Sequence, residues 1–122
     1  MELSPIQQQI TFLHVRDMAR TRQFYEDKLG FKVARDQGDC IIYQITNGGF
    51  LGFCVRDKTD SPPPIIITLI TEDVWEWYEA LTQKGITPEA PPRSNSFYGI
   101  THFFLRDPDN YCLEVQKFDL PI

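Results

Sequence analysis

Cysteine is scarce in this chain. Cys40, Cys54 and Cys112 are odd in number and form no C-x-x-C pair. That argues against a disulfide framework or a thiolate zinc site, and the three read as separate, buried small hydrophobes in a reducing compartment. Basic charge is also short, with twelve Lys and Arg against seventeen Asp and Glu for a net charge of −5. Such a balance gives no overall field for nucleic acid or an anionic membrane. The longest strongly apolar run, around residues 65–70, is too short to span a bilayer. The opening Met-Glu-Leu-Ser-Pro has neither a basic n-region nor an apolar h-region, so no signal peptide is expected and the protein is expected in the cytoplasm. What remains is 122 residues, 42% apolar and 24% charged, enough for one domain that buries its own core.

Much of the organisation turns on residues 106–115, Arg-Asp-Pro-Asp-Asn-Tyr-Cys-Leu-Glu-Val. Pro108 presets a turn, and Asp or Asn tolerates the left-handed backbone where the chain reverses. Residues 101–105 before it and 111–118 after it read as the strands of a hairpin. On the second strand Leu113 and Val115 point one way, and Cys112, Glu114 and Gln116 the other.

From the start, residues 9–15 suit a strand with Ile10, Phe12 and His14 on one face and Thr11, Leu13 and Val15 on the other. Asp17 sits where an N-cap belongs, and the spacing predicts a helix over 18–29 closed by Gly30. Short strands follow at 31–34, 40–46 and 50–55, with a turn at Gly38-Asp39 and a hairpin signal in Asn47-Gly48-Gly49. Pro62-Pro63-Pro64 makes 57–64 a stiff connector. The pattern then begins again, with a strand at 65–71 and Asp73 capping a helix with Glu76 in a capping-box position. Val74, Trp77, Tyr78 and Leu81 form that helix's apolar stripe, and Gly85 stops it. A short strand is expected at 86–89 and a loop through Ala90-Pro91-Pro92 and Ser94-Asn95-Ser96. Asp17 to Gly30 and Asp73 to Gly85 are thirteen and twelve residues apart, an internal repeat of two βαβββ modules, 9–56 and 65–118, in one α+β domain spanning 1–122.

These residues resemble the vicinal oxygen chelate superfamily, which includes glyoxalase I, bleomycin-resistance proteins and extradiol dioxygenases. The likeness lies in Val15-Arg16-Asp17-Met18, Phe24-Tyr25 and Leu29-Gly30-Phe31 of the first half. In the second half it lies in Asp73-Val74, Leu81, Gly85-Ile86, Tyr98-Gly99 and residues 106–114, with Asn110 where the family usually has Gly. The resemblance implies a curved, mostly antiparallel sheet built by both modules around a cavity. It also implies metal ligands on the first strand of each half, seven residues before the capping Asp, and on the last strand of each half. Those positions are Ile10, Ile66, about Phe53, and Glu114. One carboxylate among apolar side chains is not a divalent-metal site, so no metal and no cofactor are expected.

Strand parity lines the cavity with Ile10, Phe12, His14, Leu51, Phe53, Ile66, Thr68, Ile70, Cys112, Glu114 and Gln116, while Phe97 and Tyr98 are placed to reach over its mouth. An ionised Glu114 there calls for a partner, either His14 or a ligand cation; the facing of His102 is open. Three functions follow. The first is a metal-free protein binding an apolar or cationic small molecule. The second is a lyase or isomerase of the glyoxalase type, or a dioxygenase-related enzyme, with Glu114 as catalytic base. The third is a dimeric interaction module without pocket chemistry. The resemblance also implies a homodimer, with Trp75 a candidate for its edge.

Overall fold

The computed structural model describes residues 3–56 and 64–122. The connector expected over 57–64 therefore lies, apart from Pro64, outside the described residues, which form one compact unit on each side of it. No helix among the described residues is long and apolar enough to cross a membrane.

The first unit is a mixed four-stranded sheet in the order β1-β4-β3-β2. Its strands are β1 (Gln9–Val15), β2 (Lys32–Asp36), β3 (Cys40–Thr46) and β4 (Gly49–Val55). Between β1 and β2 comes α1 (Met18–Arg22), where Asp17 Oδ1 accepts from the Arg20 amide at 3.2 Å. The helix does not stay α-helical to residue 29 as its spacing predicts. Residues Gln23–Lys28 are π-helical, and the Leu29 amide reaches back five residues to the Phe24 carbonyl. This turn carries Phe24 and Tyr25 into the core side by side. Tyr25 packs against Phe53 at 4.4 Å between ring centroids, with Phe31 and Tyr43 at 5.7 and 6.0 Å. The Tyr43 hydroxyl donates to Glu26, which also pairs with Arg22. Burial, then that hydrogen bond, pushes the Tyr43 hydroxyl above its ordinary range, whereas the Arg22 hydrogen bond holds Glu26 below its own.

The expectation of three separate thiols needs correction. Cys40 and Cys54 face each other across β3 and β4 and are joined by a disulfide, with Cα atoms 4.1 Å apart. The neighbouring pair is hydrogen-bonded through the Val55 amide and the Asp39 carbonyl, so Cys40 and Cys54 occupy a non-hydrogen-bonded position, where side chains approach most closely. Only Cys112 is a free cysteine among the described residues, and the cysteine argument for a reducing compartment falls away.

The second unit repeats the plan, with order β5-β8-β7-β6. Its strands are β5 (Ile66–Ile70), β6 (Arg93–Asn95), β7 (Ile100–Arg106) and β8 (Cys112–Phe118), with α2 (Val74–Gln83) after β5. Asp73 caps α2 through the Glu76 amide at 3.0 Å. Val74 and Leu81 are buried, and Tyr78 packs edge-on against Phe103 at 5.4 Å. No strand forms at 86–89; the third partner is β6, inside the segment expected as a loop. Pro91 and Pro92 delay the pairing until amides are available at Arg93, and three residues are too few to display an alternation. Asn110 takes φ +69° at the close of the β7–β8 turn. Asp107 organises that turn, its Oδ1 accepting from the Asp109 and Tyr111 amides at 2.9 Å each.

Candidate functional site

In β-strands, residues directly opposite one another share a face. In the second sheet, β5 and β8 run parallel with Ile66 opposite Cys112, Thr68 opposite Glu114 and Ile70 opposite Gln116. Strands β7 and β8 run antiparallel with His102 opposite Gln116 and Phe104 opposite Glu114. The face turned away from Phe103 and α2 therefore carries Ile66, Thr68, Ile70, Cys112, Glu114, Gln116, His102 and Phe104. Six of these are residues that parity assigned to the site.

Glu114 is its centre. The side chain is buried, yet both carboxylate oxygens are satisfied from within the sheet. Oε1 accepts from the Thr68 hydroxyl at 2.9 Å; Oε2 accepts from Gln116 Nε2 at 2.8 Å and lies 2.6 Å from His102 Nδ1. The sequence calls for His14 or a ligand cation as the partner of Glu114; the structure supplies His102, whose facing the sequence leaves open. A carboxylate oxygen against Nδ1 places the ring proton on that nitrogen. His102 Nε2 then has no hydrogen-bond partner among the described residues. The ring is held at its edge by Phe104, 5.1 Å away between centroids. An imidazole fixed this way can donate from Nε2 when charged, or accept a hydrogen bond or a proton there when neutral.

Around this polar centre the surface is hydrocarbon. Ile66 and Ile70 are each 56% exposed. Cys112 is half-buried, and desolvation pushes its thiol pKa up, which disfavours the nucleophilic thiolate. A separate cleft of about 550 Å³, lined by Ile70, Thr71, Glu72, Lys117, Phe118 and Asp119 with Pro121 and Ile122, does not include Glu114 or His102.

In the first sheet, Phe12 stands opposite Gly52 and Leu13 opposite Phe53. Ile10, Phe12 and His14 share a face, with Ile10 and Phe12 40% and 50% exposed. Leu51 and Phe53 do not join them. Both are on the opposite face and buried, Phe53 beneath Tyr25. The first-half counterpart of Glu114 is accordingly Gly52 rather than Phe53. A Cβ added at Gly52 would lie 2.4 Å from the Phe12 ring, so the ring covers the backbone where a ligating side chain would start. Phe97 and Tyr98 are 86% and 69% exposed and pack on each other, centroids 4.9 Å apart.

The metal implied by the resemblance does not fit these residues. Its four positions hold Ile10, Gly52, Ile66 and Glu114, and the oxygens of the one donor are engaged by Thr68, Gln116 and His102. Among the described residues no group of three His, Cys, Asp or Glu side chains could hold a metal ion. One side chain that sequence reasoning missed belongs beside this face. Arg93 of β6 is opposite His102, within the segment expected as a loop.

Residues 7–115 match the family model of the Glyoxalase/Bleomycin resistance protein/Dioxygenase superfamily. No curated protein matches significantly. Among solved structures, a glyoxalase/bleomycin resistance protein/dioxygenase from Alicyclobacillus acidocaldarius is 26% identical, covers 91% of this chain and 90% of its own, and superposes with a TM-score of 0.75. A protein of the same description from Nocardioides is 15% identical with a TM-score of 0.78, over 97% of this chain and 86% of that one. An integron cassette protein from the mobile metagenome of V. cholerae is 23% identical with a TM-score of 0.72, over 97% and 98%.

Proposed function

Because the chain belongs to the Glyoxalase/Bleomycin resistance protein/Dioxygenase superfamily, we propose that it binds a small, largely apolar molecule on the Glu114 face of its second sheet, and that it does so without a resident metal ion. The observation that supports this reading is the self-contained network of Glu114 with Thr68, His102 and Gln116, set among exposed Ile66 and Ile70. Apolar walls around a few fixed polar groups are the usual make-up of a small-molecule site. A cationic ligand is not needed to satisfy Glu114, since three neighbours already do so, and the reading narrows to the apolar class.

Benzamide, a neutral aromatic probe, is expected to shift the backbone amide resonances of β5, β7 and β8 in a nitrogen-15-labelled sample. Shifts confined to residues 70–72 and 117–122, or none at millimolar probe, would overturn the assignment. Elemental analysis of protein purified without chelator is expected to find no stoichiometric divalent metal. About one Zn, Ni, Mn or Fe per chain, lost in Glu114→Ala, would end the metal-free part.

A further inference from the structure

We propose that Arg93 and Nε2 of His102 form an anion-recognising pair at the edge of the Glu114 face, so that the preferred ligand is an organic monocarboxylate with an apolar body. This rests on the reading of that face as the binding surface. Arg93 lies directly opposite His102 on antiparallel strands, which places the two side chains on the same face with Cβ atoms about 5 Å apart. Strand β6 ends the sheet, so nothing in the sheet flanks Arg93 on its other side. Arg93 is exposed and makes no ion pair or hydrogen bond among the described residues. His102 is the converse, a side chain 10% exposed whose Nδ1 is committed to Glu114 and whose Nε2 is not.

Charge decides the class of ligand. Arg93 brings a full positive charge to the edge of the face, and the Glu114 oxygens beyond His102 are already engaged by Thr68, Gln116 and His102. A monoanion meets that charge, accepting from the guanidinium, whose planar fork suits a carboxylate, and from Nε2–H in the charged form of the imidazole. A cation would meet Arg93 at the edge and a carboxylate whose oxygens are already engaged. The apolar body then lies towards Phe104, Ile66 and Ile70. Glu114 acts here as a positioning residue, holding the imidazole so that Nε2 is presented.

The test titrates benzoate and benzamide, matched in shape, into the full chain by calorimetry. Benzoate is expected to bind about tenfold more tightly, the advantage of a charge-assisted over a neutral hydrogen bond. Arg93→Gln is expected to remove that preference while leaving benzamide binding and the melting temperature unchanged. Because His102 is buried and replacing it alone takes a donor from Glu114, its part is read in the wild-type protein. The imidazole Nε2 resonance is expected to move with benzoate and not with benzamide. Equal affinities for the two probes in wild type, or a preference that survives Arg93→Gln, would overturn the anion pair while leaving the binding face standing. Binding of neither probe would overturn both.

Discussion

Phe53→Ala is expected to destabilise the first unit by about 3–5 kcal/mol, the range for truncating a large buried aromatic. Phe53 has no exposed surface, and its ring lies 4.4 Å from that of Tyr25 and 6.0 Å from that of Tyr43. Removing it leaves a cavity that Tyr25 cannot collapse into, because that ring is held from its other sides by Phe24, Phe31 and Tyr43. Ile10→Ala is the contrasting change. Ile10 is 40% exposed on the opposite face, and its truncation is expected to cost about 1 kcal/mol or less. Urea unfolding followed by far-ultraviolet circular dichroism measures both. Fluorescence would not serve, because Trp75 and Trp77 both belong to the second unit. Similar costs for the two variants would mean that Phe53 does not lie in the core beneath Tyr25.

That contrast marks where the sequence stops being legible. Strand β1 announces its faces by alternation, with Leu13 and Val15 buried against Ile10, Phe12 and His14. Strand β4 does not, because Leu51, Gly52, Phe53 and Cys54 are all buried. A strand covered on both faces shows no period, and Gly52 has no side chain to signal the facing. The helix caps at Asp17 and Asp73 were readable because capping depends on a single side chain and local amides. The Cys40–Cys54 pairing was not, since a spacing of fourteen residues says nothing until the β3–β4 register is known. Strand β6 was too short to recognise, and Arg93 went with it.

His102 is a different case, because its place could have been worked out. The Asp107 amide pairs with the Tyr111 carbonyl across the Asp-Pro-Asp-Asn turn, and once that register is set His102 must stand opposite Gln116 and beside Glu114. The turn sequence held the signal, and counting outward from it extracts the site.

Glu114→Ala is expected to cost the second unit about 3 kcal/mol, since removing the shared acceptor leaves two buried donors unsatisfied at about 1–3 kcal/mol each. The loss leaves His102 Nδ1 and Gln116 Nε2 as buried donors without an acceptor, while Thr68, being exposed, can turn to water. Replacing the whole buried group by hydrocarbon, with Glu114→Leu, His102→Leu and Gln116→Leu together, removes the desolvation burden along with the hydrogen bonds. That variant is expected to be more stable than Glu114→Ala despite carrying three changes, because apolar replacements of similar volume for a buried polar group are often neutral or stabilising. Thermal and urea unfolding of the two variants and wild type give the order directly. If the triple variant is the least stable of the three, the network is needed for the fold itself and the interior cannot be repacked with hydrocarbon. If it is stable but no longer distinguishes benzoate from benzamide, then Glu114, His102 and Gln116 spend stability on holding Nε2 in position, and the polar centre of this sheet is there for a ligand.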